Sequence, residues 1–181
     1  MDNVLENLLK QDSDFSESKF KSKVENIFVQ IKLSMVTGKT EKIHHFVNDE
    51  TYNKIVQKVE DDKNNNRIQL YDELNVADIQ IVKIEELEDC FKIEVNLQSK
   101  ALEYYISRDT RKFISGNKDS RIQRMNKLVF TKIKNSKDMG TARKCPSCGA
   151  NIDVNKNGQC AYCGAIFNLQ NYDWVITYMD I

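Results

Sequence analysis

Phe91-Lys92-Ile93-Glu94-Val95-Asn96-Leu97-Gln98 decides the fold class of this chain. Apolar and polar side chains alternate without a break. Successive side chains of a strand point to opposite faces, so the stretch reads as a strand buried on one face only. Ahead of it, residues 76–84 form a second strand, rich in Val and Ile. After it, residues 102–106 and 112–115 flank Ser107-Arg108-Asp109-Thr110, a hairpin turn by composition. Residues 121–133 make a long strand with Ile122, Leu128 and Phe130 on one side and Met125, Val129 and Ile133 on the other.

Further upstream the period changes from two to three or four. Asp14-Phe15-Ser16-Glu17 has the form of a capping box, with Asp14 as N-cap and Glu17 at the third helical position. Phe20, Val24, Ile27, Phe28, Ile31 and Met35 then line one face of a helix of roughly six turns, ended by Gly38. A short second helix is expected with Thr40 as its N-cap and Ile43, Phe46 and Val47 inward. A third starts near Asn48 and carries Tyr52, Ile55, Val56 and Val59 on one face. The run Asp61-Asp62-Lys63-Asn64-Asn65-Asn66 then reads as a loop. Helices first and antiparallel strands afterwards predict an α+β fold with the helices on one face of the sheet.

Near the C-terminus the chemistry turns to sulfur. Cys145-Pro146-Ser147-Cys148-Gly149 and Cys160-Ala161-Tyr162-Cys163-Gly164 are matched knuckles separated by a short loop. A C-x-x-C turn places two thiolates about 3.7 Å apart, on one edge of a zinc tetrahedron. The glycine after each pair is free to take a positive φ and turn backbone N–H groups toward the sulfurs. Four thiolates, from Cys145, Cys148, Cys160 and Cys163, leave no open coordination position, which points to one structural zinc ion and not to catalysis. Disulfides would need an oxidising compartment, and residues 1–10, with Asp2, Glu6 and Lys10, do not read as a secretory signal. A redox dithiol would not come in duplicate. Asp173-Trp174-Val175-Ile176-Thr177-Tyr178-Met179 follows as one more strand, anchored by the sole tryptophan.

With 181 residues and 40% hydrophobic content, the chain has room for one domain and a small appendage. Apolar runs are too short for a transmembrane helix, so the expectation is a cytoplasmic protein. The net charge of zero conceals a division along the chain: residues 41–103 carry 8 basic and 15 acidic side chains, residues 104–144 carry 12 and 3. Arg108, Arg111, Lys112, Lys118, Arg121, Arg124, Lys127, Lys132, Lys134 and Lys137 crowd the hairpin and the strand after it. Two accounts stay open: neutralisation by the acidic segment, or a docking surface for an acidic protein or an anionic membrane. Nucleic acid is disfavoured as a partner of the ribbon, because Lys156 is the only cation after residue 144.

The order of elements, together with Cys145-Pro146-Ser147-Cys148-Gly149-Ala150, Gly158-Gln159-Cys160-Ala161-Tyr162-Cys163-Gly164 and Tyr172-Asp173-Trp174-Val175, resembles bacterial Tim44-like proteins with a zinc ribbon. The family is named for the mitochondrial inner-membrane translocase subunit that tethers the import motor. The resemblance covers residues 12–181 and is most specific in the last forty. It implies a nuclear-transport-factor-two-like cone, with helices on a strongly curved sheet and a pocket inside. The corresponding division is a cone domain over residues 12–138 and a ribbon with its C-terminal strand over 139–181. It also implies a non-enzymatic binding or tethering module, associated with protein transport or the membrane periphery. Many bacterial relatives carry a membrane anchor, and these residues contain none.

Remaining candidates are weaker. Thr37-Gly38-Lys39-Thr40 lacks the first glycine of a phosphate loop, since position 33 is Leu33, and it follows a helix instead of a strand. His44 and His45 are adjacent, point about 100° apart on a helix and are expected to be partly exposed. Cys90 reads as a small buried residue opening a strand. Of Tyr104 and Tyr105, one must face inward, where a phenol would serve a ligand-binding or enzymatic pocket. No inward carboxylate is identified to pair with it, and no catalytic residue is assigned.

Overall fold

The computed structural model describes residues 2–13, 15–134, 148–151, 160, 162–164 and 173–181. Helices α1 (Asp2–Gln11), α2 (Glu17–Thr37) and α3 (Asp49–Asn64) precede strands β1 (Arg67–Glu86), β2 (Cys90–Ser107), β3 (Phe113–Ile133) and β4 (Val175–Met179). A 3-10 helix, Thr40–Phe46, connects α2 to α3. The strands form one antiparallel sheet in sequence order, β1-β2-β3-β4. The α+β class is therefore as the periodicity predicts, with the helices packed on the sheet.

Several boundaries move, each for a local reason. The N-cap of α2 is Ser16 and not Asp14: its extended backbone (φ −141°, ψ 146°) lets Oγ accept from the Lys19 N–H at 3.2 Å, and Glu17 becomes the first helical residue. Gly38 closes the helix in the left-handed region, its N–H donating to the Ser34 carbonyl. Thr40 lies inside the 3-10 helix, whose N-cap is Lys39. Asn48 does cap α3, accepting from the Thr51 N–H at 3.0 Å. That helix continues through Asn64, across most of the run expected to be loop. Asp62, in its last turn, is buried and receives both Lys58 and Arg67 (Nε–Oδ1 2.7 Å), so the turn is held by an ion-pair network.

The strands are longer than their patterns showed. The expected segments 91–98 and 102–106 are one strand, and burial alternates along most of it. β1 begins at Arg67, nine residues before the expected start, because bulges between Asp72 and Asn75 and between Val76 and Asp78 break its alternation. Glu73 takes φ 53° at the first of them. Each bulge bends its strand and increases the local twist, which curves the sheet. The turn after Ser107 falls where composition placed it.

The core lies between α2 and the concave side of the sheet. Phe20, Val24, Ile27, Phe28 and Ile31 meet Ile93, Val95, Leu97, Leu128, Phe130 and Ile176, all buried. Each such side chain contributes about 1.5–3 kcal/mol on burial. Helix α1 joins this core through Leu8, and Asn7 donates to Glu86 at 2.9 Å. β4 pairs with the C-terminal part of β3, and Trp174 just before it is buried among Phe15, Phe20 and the sheet.

Candidate functional site

Cys148, Cys160 and Cys163 converge. Their sulfurs all lie within 4.8 Å of one another, and Cys148 Sγ is 3.7 Å from Cys160 Sγ. A disulfide would bring the sulfurs to about 2.05 Å, whereas a tetrahedron with Zn–S arms of about 2.3 Å has edges of about 3.8 Å. The three thiols therefore sit at metal-ligand spacing. Gly149 (φ 73°) and Gly164 (φ 71°) take the positive φ expected after each knuckle, and the Gly164 N–H closes its turn on the Cys160 carbonyl at 2.9 Å. Cys145, the fourth expected ligand, lies outside the described residues, as do Lys137 and the 139–144 connection. Cys160 is only 2% exposed and, with Ala150 beside it, packs into the main core, so the cluster is built onto the sheet domain.

A second group of polar residues collects where α2 and α3 cover the far end of the sheet. Lys32 of α2 places its ammonium over the rings of Tyr71 (4.6 Å) and Phe28 (5.5 Å). Burial pulls its pKa down to about 8, with Lys58 and Arg124 adding to the shift against the pull of Glu103. Burial likewise raises the Tyr71 phenol. Around them, Arg124 grips Glu103 (Nη2–Oε2 2.9 Å), and Asn126 donates to Ser99 Oγ (3.0 Å) and to the Leu97 carbonyl (3.1 Å). Tyr105 is the inward one of the tyrosine pair, donating to Gln69 at 3.0 Å under the Arg67 cation, while Tyr104 faces the other way onto Asp72. Periodicity required one of the two tyrosines to face inward without choosing between them. It gave no sign of Lys32, an exposed-type residue lying next to the apolar stripe of α2.

The basic segment divides in two. Toward the C-terminal end of β3 it is neutralised: Lys127 pairs with Glu94 (2.8 Å), Lys132 with Asp12 (2.6 Å) and Lys134 with Glu86 (2.9 Å). Acids of the preceding segment supply two of these partners, and the third comes from the end of α1. At the hairpin, Arg108, Arg111, Lys112 and Lys118 are exposed and make no ion pair among the described residues. Phe113 (46% exposed) and Ile114 (49%) stand among them, with Lys118 over the Phe113 ring at 5.3 Å.

The histidines separate. His44 is exposed and contacts Asp49 at 3.2 Å, but His45, expected to be partly exposed, is buried with neither ring nitrogen hydrogen-bonded. The tight 3-10 turn swings it beneath the chain beside Phe46, and burial lowers its pKa to about 4. Cys90 is a partly buried free thiol opening β2. An open depression of about 630 Å³ lies on the sheet face opposite the α2 core, lined by Asn48, Glu50, Lys92, Lys127, Thr131 and Tyr178 among others.

No described helix is long and apolar enough to cross a membrane. Compared with known families, residues 1–140 match the sequence model of the Tim44-like domain. No protein of curated function matches the chain.

Proposed function

Because this chain belongs to the Tim44-like domain family, we propose that it is a binding or tethering module in protein transport that performs no catalysis. The observation that carries this reading is the unneutralised group Arg108, Arg111, Lys112 and Lys118, beside exposed Phe113 and Ile114, at and just after the β2–β3 hairpin turn. Four cations on one rigid tip create a positive field that attracts an anionic partner, an acidic protein or the headgroups of a membrane it meets from the cytoplasm. The ribbon has a structural part: Cys145, Cys148, Cys160 and Cys163 hold one zinc, which fixes the return of the chain to the sheet. The spacing of the three described sulfurs supports it. In this reading residues 12–138 form the cone and residues 139–181 the ribbon with its strand, and both α1 and β4 pack into the cone's core.

Vesicle co-sedimentation tests the docking surface. Binding is expected to need anionic lipid, to weaken with salt, and to fall when Arg108, Arg111 and Lys112 are changed to glutamate. Each basic group near a charged bilayer contributes about 1 kcal/mol. Indifference to lipid charge would assign the tip to a protein partner, sought by affinity capture with the same charge-reversed variant as control.

A second reading, a small-ligand binder or enzyme working from the inner end of the cone, draws support from Lys32 and Tyr71, two groups whose acidities are moved by burial in one place. Its test is selective acylation of amines at pH 8, where Lys32 must react ahead of the surface lysines and be protected by a bound ligand.

A further inference from the structure

Among the described residues, most of the sheet's outer edge on the β3 side is left unpaired. β4 pairs with residues Leu128 to Thr131 of β3, and just past it Asp180 closes Lys127: the Lys127 N–H donates to Asp180 Oδ2 (2.9 Å) and its carbonyl accepts from the Asp180 N–H (3.3 Å). Both polar groups of Lys127 thus point away from β2. In an antiparallel ladder that direction alternates by residue, and the register of β3 on β2 is unbroken from Ile133 to Ile122. The N–H and carbonyl groups of Gln123 and Met125 therefore point outward as well. No strand pairs with them among the described residues, and Arg121, Gln123, Arg124 and Met125 are all exposed.

This slot lies in line with β4, which itself pairs only with Leu128 to Thr131. Edge strands with unpaired ladders are templates for another strand. What such a strand must be is set by charge. Lys118 and Arg121, neither in an ion pair among the described residues, border the slot, and the unneutralised hairpin cations lie beyond it, while Arg124 is already paired with Glu103. A second copy of the chain would bring these cations against their own counterparts, and like charges directly opposite one another destabilise a pair. The cations reject self-pairing and select an acidic occupant.

The geometry points to residues 122–126 of β3 as the acceptor for an acidic peptide that adds to the sheet as an extended strand in line with β4. This rests on the docking reading above and specifies its mode: main-chain hydrogen bonds give adhesion, and the flanking cations give selectivity. The Asx turn at Asn117, which accepts from the Ser120 N–H at 2.9 Å, marks the far end of the slot. Between Ile122 and Asn117 the register with β2 is displaced by a bulge.

Fluorescence anisotropy with a labelled octapeptide of alternating glutamate and valine tests the idea on the full chain. Binding is expected to weaken at least tenfold when the peptide's alternate backbone nitrogens are methylated, since that removes donors without changing charge. A Gln123→Pro variant, which loses an outward N–H that makes no bond within the sheet, is expected to weaken binding similarly. Should that variant fold poorly, amide exchange in the unaltered protein gives an independent readout: Gln123 and Met125 must slow at least tenfold on adding peptide. If the methylated peptide binds as well as the parent and these amides stay fast, strand addition is overturned while the docking surface stands. If neither the acidic peptide nor anionic vesicles bind, the docking reading falls with it.

Discussion

Trp174 meets Phe20 edge to face, with ring centroids 5.5 Å apart and planes at 70°. More than 150 residues separate them in sequence, and the contact ties the segment after the cysteines to the first turn of α2. Phe15 lies tilted against the same indole at 6.1 Å and against Phe20 at 5.8 Å, and Lys23 of α2 pairs with Asp173 next door. The chain that leaves the domain for the cysteine cluster thus returns as a structural member of it.

Trp174→Ala should cost about 3–5 kcal/mol, as for other large core aromatics, and lower the melting temperature of the whole sheet domain. Trp174→Phe should cost far less, because the indole N–H makes no hydrogen bond and its loss removes a buried unsatisfied donor. Thermal unfolding followed by circular dichroism distinguishes the pair. Equal effects would mean that the contact is not the source of stability.

One zinc per chain is expected in native mass spectrometry. Cys148→Ser, Cys160→Ser and Cys163→Ser should each abolish it, as should Cys145→Ser. Because the cluster packs on the core through Cys160, stripping the metal with a chelator should also loosen β4, raising amide exchange at Val175 and Ile176. Full exchange protection in metal-free protein would refute the structural role.

His45 should make the fold acid-sensitive. Its folded pKa of about 4 lies below the unfolded value of about 6.5, so the unfolded chain takes up the proton first as pH falls. The stability is complete above pH about 6.5 and is lost through the window down to about 4, with a slope of at most about 1.4 kcal/mol per pH unit. His45→Leu should flatten that window in a series of denaturant melts, while His44→Ala, at an exposed site, should leave it in place.

Asp62→Ala leaves Lys58 and Arg67 facing each other without their shared carboxylate. We expect a loss of about 2 kcal/mol, below that of a fully enclosed pair because both cations keep contact with water. The last turn of α3 should fray first, visible as faster amide exchange at Asn65 and Asn66. A change under about 0.5 kcal/mol would show that the network is only surface electrostatics.

How far the sequence could be read depended on the range of each signal. Phe91 to Leu97 announced a strand because alternation is a relation between neighbours, and Phe20 to Ile31 announced a helix for the same reason. The strand over 67–75 was missed because its bulges, at Glu73 above all, break the alternation on which such reading relies. The loop assigned to residues 61–66 followed composition, and it failed because Asp62 finds Arg67 in space and carries the helix onward.

The same division holds for the candidate sites. The sequence by itself determined the α+β order, the hairpin turn after Ser107 and the pairing of cysteines into knuckles, since each depends on residues a few positions apart. Only the tertiary structure decided which cations are neutralised: Lys132 finds Asp12 across 120 residues, while Arg108 and Arg111 find no acid among the described residues. Burial of His45, partial withdrawal of Lys32 from water and, among the described residues, the unpaired edge at Gln123 and Met125 were settled there too. Desolvation, ion pairing and strand exposure are set by neighbours that the chain reaches only after folding, so no local pattern encodes them.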